Sequence, residues 1–138
     1  MLDDNCIFCK IAAGEIPSAT LYEDDDFRVI FDASPATKGH VLILPKEHAA
    51  NVFELSEETA SKVFVLAKKI ATVLKEVTGC EGVNILQNNG EIAGQTVFHF
   101  HMHIIPRYKG DTVNIGWTPG KADADEINEL KEKIAAGL

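Results

Sequence analysis

A chain of 138 residues with 46% hydrophobic content is long enough for one packed core and too short for two. No apolar run nears the roughly 18 residues of a bilayer-crossing helix. The acidic stretch 1–5 also lacks the basic region of a signal peptide, so a cytoplasmic protein with no membrane partner is expected. A net charge of −8 argues against a nucleic-acid polymer as partner, whereas a single phosphate can still be held by backbone N–H groups and a few polar side chains.

Residues 6–13, closed by Gly14, suit a short helix with Ile7, Phe8 and Ile11 on its apolar side. Strands are expected at 20–22 and 27–31, joined by the acidic turn 23–26, and Asp24-Asp25-Asp26 reads as a solvated turn. A Ser/Pro/Gly-bearing loop over 34–39 leads into a strand at 40–44, stopped by Pro45. The long helix is the clearest element. Ser56 caps it, Glu57 and Glu58 occupy the first turn, and Gly79 sits at C′. Its apolar stripe runs through Ala60, Val63, Phe64, Ala67, Ile70, Ala71, Leu74 and Val77, which is core packing. A strand at 83–87 and a loop at 88–95 follow, and a final helix opens with Asp123 and Glu126 spaced as a capping box. Strands in adjacent pairs with one long helix crossing over define an α+β protein with a mostly antiparallel sheet.

The segment 98–106 places His99, His101 and His103 at alternate positions between apolar residues, the pattern of a half-buried strand. On such a strand they share one face in a row about 13 Å long, at roughly 3.3 Å per residue. Imidazoles bring polar atoms that need partners, so the row reads as a site. The pair Cys6-x-x-Cys9 is a redox couple, half of a zinc site, or coincidence. Nothing strand-like precedes Cys6, which disfavours the redox reading. Zinc needs four ligands and the pair supplies two, leaving two for histidines brought in by the fold. Cys80 stands apart as a small buried hydrophobe.

The heptapeptide His99-Phe100-His101-Met102-His103-Ile104-Ile105 resembles the signature of the histidine triad (HIT) superfamily. So, in order, do Cys6-Ile7-Phe8-Cys9-Lys10-Ile11, Gly14-Glu15-Ile16-Pro17-Ser18, Asp32-Ala33-Ser34-Pro35, the block from Gly39 to His48, and Gly94-Gln95-Thr96-Val97. The resemblance covers 5–108 and is closest to the bacterial, zinc-bearing members of the nucleotide-binding branch. It implies a single HIT domain over 1–138, with 109–138 a C-terminal loop and helix. The implied fold is a five-stranded, mostly antiparallel sheet with one long helix, a short N-terminal helix and a C-terminal helix.

The resemblance further implies cleavage at the α-phosphate of a nucleoside 5′-monophosphate ester or amide. His101 would be the nucleophile, forming a nucleotidyl-histidine that water hydrolyses. His103 would contact a phosphate oxygen or the leaving group. Asn88, Gln95, Thr96 and the backbone around Gly94 would take further phosphate contacts. Asp32 would hold the ribose hydroxyls, and Phe8, Ile11, Ile30, Phe31, Ala33 and Leu42 would line the base slot. His40 would support the triad from behind. Zinc would be held structurally by Cys6, Cys9, His48 and His99, a closed set. A purine nucleotide or its conjugate is the implied ligand, and a homodimer the implied assembly. Two rivals are a metal-dependent hydrolase using the triad as ligands and a nucleotide-binding scaffold with incidental hydrolysis. Trp117, in the irregular stretch before the last helix, reads as a packing anchor, with a cover over the substrate mouth or the dimer partner as the alternative.

Overall fold

The computed structural model describes Asp3 and residues 5–138. Met1, Leu2 and Asp4, part of the stretch read against a signal peptide, lie outside the described set. In chain order the elements are α1 (Ile7–Ala12), β1 (Thr20–Glu23), β2 (Phe27–Phe31), β3 (Val41–Pro45), α2 (Glu57–Thr78), β4 (Gly82–Leu86), β5 (Met102–Arg107) and α3 (Ala124–Ala136), with a single 3-10 turn at Glu91–Ala93. The strands form one antiparallel sheet in the order β1-β2-β3-β5-β4. This is the α+β architecture expected from the strand pairs and the long crossing helix. No described helix is long and apolar enough to cross a membrane.

The two faces of the sheet have different coverings. On one, Val29, Val41, Ile43, Met102 and Ile104 pack with Phe27 and Phe100 against Val63, Leu66, Ala67, Ile70 and Leu74 of α2. On the other, Ile30, Leu42 and Leu44 meet only Phe8 and Ile11 of the six-residue α1. The second face is therefore left partly uncovered, and the histidines point to it.

Caps behave as the sequence implies. Ser56 Oγ accepts the Thr59 N–H, and Gly79 ends α2 with φ 69°, the left-handed region where glycine is favoured. Asp123 accepts from Asp125 and Glu126 N–H groups, while no return bond from Glu126 forms among the described residues, so the capping box is half made. Four expectations are corrected. Trp117, read as a packing anchor, is 83% exposed and packs into no core among the described residues. Ile7 is half exposed and does not share the apolar side of α1. Phe64 and Val77 of the α2 stripe are exposed, and Leu66 takes a core place instead. The histidine strand is shorter than 98–106: its ladder begins at Met102. The β3–β5 register stops at Ile43 opposite Met102. Upstream, Phe100 N–H donates to Ala49 O (2.7 Å) in the loop after Pro45, so this stretch is held by that loop and not by a strand. Alternation of facing survives regardless, with Phe100 and Met102 in the α2-side core.

Candidate functional site

The short β5 and the stretch before it set three imidazoles along the thinly covered face. Their proton positions follow from their partners. His101 Nδ1 lies 2.7 Å from the carbonyl oxygen of His99, which can only accept. The Nδ1 proton is therefore fixed there, and the Nε2 lone pair is free. Phe8 meets this ring edge-on, with centroids 5.0 Å apart. Burial lowers the pKa of His101 below its ordinary value, partly countered by the His99 carbonyl, so the ring is neutral at pH 7.

His103 is defined by a relay. Ala36 N–H donates to His40 Nδ1 (2.9 Å), so the His40 proton sits on Nε2. That proton points at His103 Nδ1, 2.9 Å away. His103 Nδ1 must then accept, and its own proton lies on Nε2. Burial pushes His103 down to about 4, with His101 and His40 adding to the effect. Burial lowers His40 as well, opposed by Asp32, whose Oδ2 is 3.6 Å from His40 Nε2. The neighbours His101 and His103, with centroids 5.0 Å apart, thus present opposite faces of imidazole chemistry: a lone pair and an N–H donor.

Both line a cleft of about 540 Å³. Of the residues predicted from the sequence, Phe8, Ile11, Ile30, Phe31, Asp32, Ala33, Leu42, Thr96, His101 and His103 meet there. Asp32 Oδ1 accepts the Ser34 N–H (2.8 Å), so it forms its turn as well as facing the cleft. Asn88 and Gly94 are not in the lining, though they touch each other: a Cβ on Gly94 (φ 99°) would come 3.3 Å from Asn88 Nδ2. Gln95 is a correction. Its buried amide donates to Ala50 O (2.6 Å) and Val97 O (3.1 Å) and accepts from Gly90 N–H (2.8 Å), so it staples the loop and has nothing left for a phosphate. Pro17, Ser18, Ala19, Ser34 and Val97 also line the cleft. Sequence reading gave them no role, although all but Ala19 lie inside the family-like blocks.

A second cluster lies at the other end of the row. Cys6 Sγ and Cys9 Sγ are each 3.4 Å from His99 Nδ1, and Cys9 Sγ is 3.2 Å from His48 Nδ1. All four donor atoms fall within 4.8 Å of one another. A zinc tetrahedron with the usual bond lengths has S···N edges of about 3.5 Å. His99 Nε2 donates to Pro45 O (2.8 Å), which turns the Nδ1 lone pair toward the sulfurs. Each sulfur accepts a backbone N–H, from Cys9 to Cys6 and from Asp3 to Cys9, as thiolates do. Burial pushes the Cys9 thiol up to about 11, so a cation is what would let it ionise. The donor set fits a structural zinc ion. The triad as a whole does not converge on one centre: His99 belongs to this cluster, His103 to a group with Asp32 and His40, and His101 to neither.

With that geometry in place, comparison with known proteins defines the class. The HIT domain family matches residues 13–110, and the chain belongs to that family. It is 51% identical to Protein hit of Bacillus subtilis over 138 residues, covering 98% of this chain and 95% of the relative. It is 41% identical to the adenosine 5′-monophosphoramidase hnt1 of Schizosaccharomyces pombe over 135 residues, covering 97% and 98%. Among solved structures, a zinc-bound histidine triad family protein from Mycobacterium smegmatis superposes with a TM-score of 0.76 at 36% identity, covering 97% and 95%.

Proposed function

We propose that this chain hydrolyses nucleoside 5′-monophosphate esters or amides at the α-phosphorus, through a nucleotide carried on His101. One observation carries the reading: the His99 carbonyl fixes the His101 proton on Nδ1, leaving a neutral Nε2 lone pair aimed into the cleft. Nε2 forms a bond to phosphorus as the bond to the leaving group breaks. His103 donates from Nε2 to a phosphate oxygen or the leaving atom and stabilises charge that builds there. Water then cleaves the phosphorus–Nε2 bond and restores the free imidazole. Asp32 accepts from the ribose hydroxyls, and Phe8, Ile11, Ile30, Phe31, Ala33 and Leu42 enclose a purine. Thr96 and Asn88, with backbone N–H groups around Gly94, complete the phosphate contacts; the N–H of Gly94 itself already donates to Glu91 O (2.9 Å). The amidase name of the fission-yeast relative supports a phosphoramidate among the substrates.

Cys6, Cys9, His48 and His99 would hold zinc. A zinc ion there would neutralise the thiolates, and its four ligands would pin α1, which carries Phe8 and Ile11, onto the triad segment. A homodimer is supported by the β4 edge, which among the described residues has β5 as its sole neighbour in the sheet, by exposed Ile85 on that strand, and by exposed Phe64 on α2, a helix in contact with β4.

The test pairs turnover with binding. Wild type should hydrolyse an adenosine phosphoramidate, and samples quenched in alkaline denaturant, in which a phosphorus–imidazole bond survives, should yield a peptide bearing adenylate on His101. His101→Ala should bind AMP in calorimetry yet lose at least about 10³-fold in kcat. Full turnover by His101→Ala would refute the covalent route. Binding without turnover in wild type would favour a scaffold.

A further inference from the structure

Among the described residues, the C-terminal helix buries none of its side chains against its own chain. All thirteen residues of α3 are exposed, yet Ile127, Leu130 and Ile134 form an apolar stripe at i, i+3 and i+7. A helix of this length is marginal in water by itself and owes its stability to packing of such a stripe. Elsewhere the same chain carries an unfilled apolar cleft. It lies between α2 and the β1–β2 hairpin, measures about 540 Å³, and is walled by Leu21, Tyr22, Phe31, Ile70, Val73 and Val77. It is separate from the histidine cleft and shares only Phe31 with it. Every residue of β1 is exposed, and Val73 and Val77 stand 55% and 78% open. Along α2 the trough continues past Val73 to Val65, about 18 Å at 1.5 Å per residue. That length accommodates the stripe of α3, which spans about 11 Å.

Charge matches as well as shape. Lys38, Lys68 and Lys69 rim the trough, and among the described residues none of them has a carboxylate within ion-pair distance. Helix α3 brings four carboxylates, Asp125, Glu126, Glu129 and Glu132, against two lysines. Helix α3 is exposed throughout and so does not sit in its own chain's trough. Tyr108 is tied to Lys38 O (2.7 Å) beside that trough, and Arg107 holds Asp111 and Val113 O. From there 114–123 carries no secondary structure and spans up to about 33 Å when extended, enough to reach a neighbouring copy. We propose that α3 of one copy of this chain docks in the α2/β1–β2 trough of a second copy, helix in groove, with the exchange reciprocated. This goes beyond the homodimer proposed above, which concerns the β4 edge, and needs only that a second copy be present.

Cross-linking between full-length chains of different isotopic mass tests it. A ¹⁵N-labelled chain carrying Leu130→Cys is mixed with an unlabelled chain carrying Val73→Cys, treated with a short bismaleimide, and digested. Both positions are exposed, so neither substitution threatens the fold. The expected product is a heavy–light peptide pair joining positions 130 and 73, reduced at least tenfold when Ile127→Glu is added to the heavy chain. Sedimentation of the same samples supplies the assembly mass. A 130–73 link found only within single chains carrying both cysteines would mean that α3 folds onto its own trough, and would overturn the proposal. Absence of the link in both experiments would overturn it too. If the mass is then dimeric, the β4-edge homodimer survives that failure; if monomeric, both fall.

Discussion

Replacing His40 by alanine should disable the site without touching any atom that meets substrate. In the relay, Ala36 N–H fixes the His40 proton on Nε2, and that proton keeps His103 Nδ1 as an acceptor. His40→Ala frees His103 to place its proton on Nδ1, which turns its cleft-facing nitrogen from donor to lone pair and sets it against phosphate oxygens. Losing one hydrogen bond to a charged group costs about 1.5–3 kcal/mol. At 1.36 kcal/mol per decade, kcat should fall about 10- to 150-fold. AMP affinity should change far less, since Asp32 and the apolar walls remain. His40→Gln, which restores an N–H near the old Nε2 position, should recover part of the loss. The assay is steady-state turnover of an adenosine phosphoramidate, read beside ¹⁵N chemical shifts of the His103 ring. The shifts separate a positioning role from general loosening, because only the former moves the proton from Nε2 to Nδ1. Wild-type kcat in His40→Ala, or a His103 that keeps its Nε2 proton there, would refute the relay.

Three further outcomes follow from the same structure. Native mass spectrometry should find one zinc per chain, lost in Cys6→Ser/Cys9→Ser; at several hundred times its Kd the ion contributes about 3 kcal/mol, or ~10 °C in Tm, so an unchanged melting curve after chelation would sink the assignment. Ile43→Ala removes a fully buried β3 side chain packed on the α2 side of the sheet and should cost about 2–5 kcal/mol in urea unfolding while leaving the cleft intact. His103, held at about 4 in the fold against about 6.5 unfolded, binds its proton first in the unfolded chain, so wild-type stability should fall as pH drops from 6.5 to 4 and be unaffected by this group above 7; the urea midpoint of His103→Asn should decline less over that window, and equal declines would contradict the burial argument.

Periodicity made the sheet and the long helix legible, because α2 and the central strands obey period rules that any sequence shows. The alternation at His99, His101 and His103 correctly placed the rings opposite the α2 core, but it could not show where pairing stops. That limit is set by Pro45, which ends β3, and by the Ala49 carbonyl that takes the Phe100 N–H, a contact between residues 51 apart. Cys6 and Cys9 were legible from their spacing as a candidate half of a zinc site, whereas His48 and His99, far off in sequence, joined them only through family resemblance. Gln95 misled because a polar residue in a glycine-bearing loop beside a site looks like a ligand, whereas its amide is consumed by Gly90, Ala50 and Val97.

Helix α1 explains why one face of the sheet can carry chemistry at all. Six residues cannot hold a helix unaided. Here Cys6 and Cys9 face the imidazoles of His48 and His99 while Phe8 and Ile11 sit on Ile30, Leu42 and Leu44. The same turn of chain thus belongs to the donor cluster through its sulfurs and to the cleft wall through its apolar side chains. A longer helix packed on this face would bury His101 and His103 beyond reach of a ligand. A short one anchored from the side leaves the cleft open while Phe8, edge-on to His101 at 5.0 Å, keeps the ring in a neutral, apolar setting. The proton positions at His101 and His103 depend on backbone partners that α1 does not supply, His99 O and, through His40, Ala36 N–H. It follows that, if this cluster holds the proposed zinc, stripping it should loosen the cleft wall and weaken ligand binding before it disturbs either tautomer.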